Sequence, residues 1–329
     1  MRCIPALVLF SCVLAGPVCA LAQTAKRDAG QAFPSRPIRL VVNTTAGSSP
    51  DLIARAVGRQ AELYLKQNLI IDNRAGANGI IGAVIVANAA PDGYTVLHTS
   101  PGLILNALVY KKLQYDVHRD FVPVTQVAAG VGYLMLVHPS LPVSTVKEFI
   151  ALAKQKQLTY SSVPVGGTTQ LAAELFNVRT GLSVRHIPYR SGADAVNAVM
   201  GREVDLTFSP PTGALPHVLS GRMRAIAFSG SKRFAKLPEV PLVSEAGVPD
   251  YIVDFTWNAW FAPAKTPVAI VERLQASVRE ALKSPKIADF LDAAAFYPVG
   301  STPEEFREFV DTEMKRYAQN VRDAKIPPQ

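Results

Sequence analysis

Apolar positions in this chain fall into short runs separated by helical stripes. Ile38-Arg39-Leu40-Val41-Val42 has the composition of a strand, and Leu52, Ile53, Ala56, Val57, Leu63 and Tyr64 recur at helical spacing after it. Between them lies the polar turn Asn43 to Ser49, in which Ser48 or Ser49 is placed to cap a helix and Pro50 occupies a first-turn position that needs no amide hydrogen. The pattern returns. Asn68 to Asp72 reads as a strand, Asn73 to Gly79 as a turn with two glycines, Ile80 to Asn88 as a helix and Tyr94 to Thr99 as a third strand, with a helical or irregular segment from Gly102 to Leu108. Leu113 to Phe121 reads as a polar surface run, and Val122 to Ala128 as an extended passage that leads out of the first set of elements.

A second set follows with the same grammar. Val131 to His138 is an apolar run, Thr145 and Glu148 form a capping box for the helix 146–154, and Leu158 to Ser162 is a strand. The strand leads through the glycine-bearing loop Val163 to Thr169, with Thr168 as a hydroxyl cap, into a helix faced by Leu171, Ala172, Leu175 and Phe176. Strands at 184–188, 204–208 and 224–228 alternate with helices at 192–201 and 214–219. Residues 230–250 are irregular and rich in Pro, Gly and charge, as expected of a return connection. Trp257 to Pro263 then reads as a strand, Thr266-Pro267 opens one helix, and Thr302 with Glu305 opens another as a second capping box. Trp257 and Trp260 are expected in the core. Strand–helix alternation of this kind predicts α/β architecture with sheets covered on both faces.

The first 22 residues differ from everything after them. One Arg, an apolar stretch and the small-residue end Ala20-Leu21-Ala22 make a secretory leader, with cleavage expected after Ala22 or Ala20. Cys3, Cys12 and Cys19, the only cysteines, all fall inside it, so the mature chain is expected to carry neither disulfide nor thiol chemistry. About 300 residues remain, enough for two cores. The formal charge of +8 becomes +7 once Arg2 is removed, and the basic residues are scattered without aromatic interleaving, which gives no nucleic-acid footprint. A moderate positive field suits capture of small anions. No cofactor or metal motif, no Gly-x-Ser-x-Gly elbow and no His-Glu-x-x-His helix occurs. A hydrolase would have to use a Ser with one of His98, His118, His138, His186 or His217.

Several long motifs then occur in one order: Asp72-Asn73-Arg74-Ala75-Gly76-Ala77-Asn78-Gly79, Ala90-Pro91-Asp92-Gly93-Tyr94-Thr95, Leu171-Ala172-Ala173-Glu174-Leu175-Phe176, His186-Ile187-Pro188-Tyr189-Arg190, Gly201-Arg202-Glu203-Val204-Asp205 and Leu237-Pro238-Glu239-Val240-Pro241. Together they resemble the TctC or Bug family, the exported solute receptors of tripartite tricarboxylate transport systems. The resemblance implies a two-lobed periplasmic-binding-protein (Venus flytrap) fold of α/β class. Its first lobe is expected to be discontinuous: leader 1–22, lead-in 23–36, first lobe 37–124 and 250–329, second lobe 125–249. It also implies a periplasmic monomer that encloses a small organic acid (a dicarboxylate, an amino acid or an aromatic acid) and meets membrane transporter subunits. A sensing module of the same fold stays open as an alternative.

By the same resemblance the ligand contacts fall on four stretches. In the first lobe they match Thr44, Thr45, Ala46, Ser48 and Ser49, then Thr99, Ser100 and Gly102; in the second, Ser161, Ser162, Gly166, Gly167 and Thr168, then Ser209 and Pro210. Asp51 and Arg74 are expected to brace their turns and not to touch the anion. The chain departs from the family in two places: the first loop has side chains at Asn43, Thr44, Thr45, Ser48 and Ser49 where glycines are usual, and Gln170 stands where a His is usual. Both departures bear on the identity of the solute. The leader reading is tested by the intact mass of the exported protein, which should correspond to a chain beginning at Gln23; a mass that includes Cys19 with attached lipid would overturn it.

Overall fold

The structure, a computed structural model, describes residues 33–329; the expected leader with its three cysteines, and all of the lead-in before Phe33, lie outside the described residues. Strand β1 (Ile38–Val42) runs into helix α1 (Ser49–Leu65), and β2 (Leu69–Asn73) leads through a 3-10 turn (Ala77–Gly79) into α2 (Ile80–Ala87). Then come β3 (Thr95–Thr99), α3 (Gly102–Val109), the short α4 (Val117–Asp120) and the long strand β4 (Phe121–Gly130). The second set comprises β5 (Leu134–Val137), α5 (Val146–Gln155), β6 (Thr159–Ser162), α6 (Thr168–Thr180), β7 (Arg185–Pro188), α7 (Gly192–Met200), β8 (Leu206–Ser209), α8 (Pro211–Leu219) and β9 (Arg224–Phe228). The chain closes with β10 (Trp257–Pro263), α9 (Val268–Leu282), α10 (Pro285–Ala293), β11 (Phe296–Pro298) and α11 (Pro303–Asp323).

Among the described residues two sheets result, a six-stranded one in the order β11-β4-β10-β3-β1-β2 and a five-stranded one in the order β7-β6-β8-β5-β9. β1 pairs in parallel with β2 and β3, and β6 in parallel with β7 and β8, so in each sheet the strand ends and following helix starts collect on one edge. The expected exit at residue 125 needs correction. β4 stays in the first sheet as far as Gly130, because β10 pairs with it along its length, from Phe121 opposite Pro263 to Ala129 opposite Trp257.

The two crossings between sheets, residues 131–133 and 250–256, lie side by side. Gly130 N–H donates to the Thr256 carbonyl at 2.7 Å, and Val253 N–H to that of Ser229 at 2.7 Å. A Cβ at Gly130 would stand 1.8 Å from Thr256 Oγ1, so this close approach requires glycine. Arg316 on α11 clips the returning crossing: Nη1 donates to Asp254 Oδ1 at 3.0 Å and Nη2 to Glu313 Oε2 at 2.8 Å, with the guanidinium 5.0 Å above the Phe255 ring. One buried apolar cluster passes through the crossings, from Trp257, Phe306 and Tyr317 through Phe255 and Tyr251 to Phe176 and Phe208. Helix α11 accordingly packs on α3 and β4 and also on α6.

Both capping boxes form, at Thr145 with Glu148 and at Thr302 with Glu305. The hydroxyl caps are different. Ser48 holds the N-cap position of α1, but its hydroxyl donates to Thr44 Oγ1 at 2.9 Å, and the N-cap of α6 is Gly167, not Thr168. The run 113–121 is not a polar surface stretch either: Tyr115, Val117 and Phe121 are buried, and Tyr115 OH donates to the Leu103 carbonyl at 2.8 Å.

His98 on β3 is buried with no exposed surface. Trp260 Nε1 can only donate, and does so to His98 Nδ1 at 3.1 Å, so Nε2 carries the proton toward Asn258 Oδ1, also at 3.1 Å. Burial lowers the His98 pKa to about 4 against the opposing pull of Asn258, and burial takes His186 to about 4 as well. Both rings are thus neutral when folded and protonate near about 6.5 when unfolded. The unfolded chain therefore binds more protons between these values, and the stability that the neutral rings contribute, complete above pH 6.5, is lost as pH falls toward 4. Thermal unfolding followed from pH 7.5 to 4.5 should show a steadily falling Tm; a flat profile would contradict this.

Candidate functional site

Between the two sheets opens a cleft of about 780 Å³, inside the range of roughly 300–1,000 Å³ usual for small-molecule sites. Its first-lobe wall consists of Asn43 through Pro50, Ala75 through Gly79 and Ser100 through Gly102. The opposite wall consists of Val163, Pro164, Gly167 through Thr169, Arg190 through Asn197, Phe208 through Pro210, Gly213 and His217, and the floor is made by Thr256, Trp257, Asn258 and Phe296.

Of the residues expected at the ligand, Thr44, Thr45, Ala46, Ser48, Ser49, Ser100, Gly102, Gly167, Thr168, Ser209 and Pro210 line this cleft. Thr99, Ser161, Ser162 and Gly166 do not. Thr99 is the last residue of β3, wholly buried, with its hydroxyl on the Ser100 carbonyl. Ser161 is turned under α7, where Oγ donates to the Ala195 carbonyl at 2.7 Å. The Gly166 amide is taken by Gln170 Oε1 at 2.8 Å, and a Cβ there would stand 3.4 Å from Val109 Cγ1 of the first lobe. Gln170 thus holds the loop from behind.

Ser162 contacts His186 Nε2 at 2.6 Å but also donates from Oγ to the Val163 carbonyl at 2.7 Å. The hydroxyl must then accept from the imidazole, which is the reverse polarity of a nucleophile and its base. The pair lies off the cleft lining.

The loop before α1 is braced by Asp51, which is 1% exposed. Its carboxylate accepts from Gly47 N–H at 2.8 Å, Arg55 Nε at 3.0 Å and Asn73 Nδ2 at 2.8 Å. Burial alone would raise its pKa, but these hydrogen bonds outweigh burial and hold it below the usual value. Arg74 is likewise engaged, on Asp72 at 2.9 Å, and neither Asp51 nor Arg74 lines the cleft.

Among the described residues, four helices begin with amide-bearing residues on the lining, α1 at Ser48 and Ser49, α3 at Gly102, α6 at Gly167 to Thr169 and α7 at Ser191 to Asp194, while α2 and α8 reach it only through their N-caps Gly79 and Pro210. Each of those four starts brings amides free of helical partners and the positive end of a helix dipole, worth about 0.3–1 kcal/mol to an anion even at an exposed site, whereas Pro210 and Pro211 at the start of α8 have no amide hydrogen. Among the described residues, Arg190, Asp194 and His217 are the only ionisable side chains on the lining, all from the second lobe. Arg190 stands 3.7 Å from Asp194 with most of its side chain in solvent. The two walls already touch across the cleft edges, where Ser49 Oγ donates to Thr212 Oγ1 at 3.1 Å and Tyr110 OH to the Val165 carbonyl at 3.0 Å.

Sequence reasoning missed the turn 75–79, the start of α7, His217 and the floor. The turn and the α7 start had a usable signal, since Asn73 to Gly79 and Arg190-Ser191-Gly192 repeat the pattern of strand, glycine-bearing turn and helix. The floor had none. It reaches the cleft only because the crossings bring residues 256–258 and 296 there.

Known proteins resemble this chain in sequence and in fold. Residues 53–325 match the model of the tripartite tricarboxylate transporter family receptor, TctC. Protein BugT of Bordetella pertussis is 32% identical over 295 residues, covering 88% of this chain and 90% of its own. Among solved structures, R. palustris Rpa4515 with adipate superposes at TM-score 0.86 with 34% identity, over 91% of this chain and all of that one. MatC from Rhodopseudomonas palustris with bound malate gives 0.82 and 27%, over 88% of this chain and all of its own. The two-lobed α/β periplasmic-binding-protein fold and the family that the motifs resemble are thereby both established: this chain belongs to the TctC family of tripartite tricarboxylate transporter receptors.

Proposed function

We propose that the protein is a periplasmic receptor that captures a small carboxylate between its lobes and presents it to membrane subunits of a tripartite tricarboxylate type transporter. The observation that carries the reading is the convergence of four amide-bearing helix starts on a cleft whose first-lobe wall holds no ionisable side chain among the described residues. Neutral amides and hydroxyls satisfy a carboxylate with little desolvation of their own, which permits release unchanged. The similar R. palustris proteins with adipate and malate are consistent with an organic acid as the class of solute.

In this reading the carboxylate meets Thr44 to Ser49 on one side, while the far part of the solute meets Gly167, Thr168 and the start of α7. Each lobe supplies only part of the hydrogen bonding, so the solute binds the closed form better and shifts the population toward it. The Ser49 to Thr212 contact lies on the closing edge, making Ser49 a sensitive probe.

Solute released from gently purified protein should be an organic acid by mass spectrometry, and adding it back should compact the protein in solution scattering. Ser49→Trp should weaken its binding by about tenfold or more, a change of roughly 1.4 kcal/mol, and abolish compaction, with the Tm of the unliganded protein within about 2 °C of wild type. A released solute that is no acid, or tight binding without compaction, would overturn the reading.

A further inference from the structure

Helix α7 buries Ala195, Val196, Ala198 and Val199, while Asp194 and Asn197, one turn apart, stand on the cleft lining. Asp194 is the one acid on that lining among the described residues. Its side chain is 37% exposed, so a solute in the cleft can reach the carboxylate. Among the described residues the carboxylate accepts no hydrogen bond: Arg190 Nε stands 3.7 Å away, beyond hydrogen-bond distance. Other acids in first helical turns are tied down. Asp51 takes Gly47, Arg55 and Asn73, Glu148 takes the amides of Ser144 and Thr145, and Glu305 takes that of Thr302. At α7, by contrast, Ser191 Oγ accepts from the Asp194 amide at 3.1 Å, but the acid does not complete a capping box. A helix start carries roughly half a positive charge, less than the full negative charge that Asp194 adds beside it. Arg190 offsets little of this, because 92% of its side chain is in solvent.

We propose, resting on the carboxylate reading above, that Asp194 is a specificity-determining residue that pairs with a cationic nitrogen at the far end of the solute, so that the solute is an ω-amino acid. The carboxylate lies on the Thr44 to Ser49 loop and Asp194 on the opposite wall, so the two charges of the solute sit at its two ends and each lobe holds one. A second carboxylate at the far end would meet Asp194 as a like charge. An alkyl end would leave Asp194 unpaired as the lobes close over it. An ammonium brings three donors and the opposite charge, and it displaces only an Arg190 that is held loosely.

Calorimetric titration with sets that differ only in the terminal group tests this: 4-aminobutyrate, glutarate and pentanoate; 5-aminopentanoate, adipate and hexanoate; 6-aminohexanoate, pimelate and heptanoate. At the chain length that binds, the amino acid should be about 10- to 100-fold tighter than either counterpart. Asp194→Asn, which keeps the shape and the Ser191 cap, should weaken the amino acid by about tenfold or more and strengthen the dicarboxylate, reversing their order. A purely structural role for Asp194 would lower both affinities alike and leave that ratio unmoved. Should the variant fail to fold, the wild-type ratios within a set decide alone. A dicarboxylate or alkyl acid that binds as tightly as the amino acid, tighter binding of its 2-amino isomer, or a preference that survives in Asp194→Asn would overturn the inference and leave the carboxylate reading intact. If no set binds, the solute released from the protein is read for the same feature. An acid with a basic nitrogen remote from its carboxylate supports the inference, an acid without one overturns the inference alone, and a solute that is no acid overturns both.

Discussion

The antiparallel pairing of β4 with β10 is the constraint on which the two-lobed arrangement depends. It carries both chain crossings, since β4 leaves for the second sheet at Gly130 and β10 returns from it at Trp257. The pairing is buried on both faces, with Trp257, Trp260 and Phe261 at 2% exposure or less, and β10 is pinned sideways by the Trp260, His98 and Asn258 hydrogen bonds. Arg316 and Tyr317 of α11 then hold the returning segment from outside, with Tyr317 OH donating to the Phe255 carbonyl at 2.9 Å. The aromatic cluster runs unbroken from Trp257 to Phe208, so the crossings are packed together with both lobes.

Given that connection, the parallel pairing inside each sheet decides what faces the cleft. Strands that run in parallel end together, and each is followed by a helix whose first amides lie at the same edge. The site is therefore largely a property of the backbone. Charge is used elsewhere, in bracing the walls: Asp51 ties Gly47, Arg55 and Asn73 together, while Asp72 holds Arg39 and Arg74. Charges spent in this way do not compete with a reversible ligand, whereas a buried guanidinium in the cleft would bring a desolvation cost of several kcal/mol.

How much of this was legible depended on whether the signal was local. β1, β9 and β10 occur at the residues that their composition marked, and the two Thr-Glu capping boxes formed because both partners lie within one turn. α10 and β11 carried too little periodicity over so few residues to be read, and β11 exists because β4 offers it an edge. Thr44 to Ser49 was recognisable since strand, loop and cap are consecutive. Ser161 and Ser162 were misread because a strand end next to a binding loop need not present its side chains to the cleft. Ser161 is instead occupied by Ala195 and Ser162 by His186, contacts set by residues about 25–35 positions away.

Asn43 shows how a departure from the family pattern acquires a structural reason. A side chain at the end of β1 needs room under the α2 turn, and Gly79 and Gly82 supply it where any Cβ would collide. The same turn contains Asn78, whose amide and carbonyl are locked reciprocally to Asn106 of α3, so the carbonyl of Gly79 that orients Asn43 is itself held in place from the third strand–helix unit. Three consecutive strand–helix units of the first lobe thereby fix one amide. Such a chain of contacts costs conformational freedom in the folded state, and turning Asn43 to satisfy Oδ1 within the protein would break the Gly79 bond.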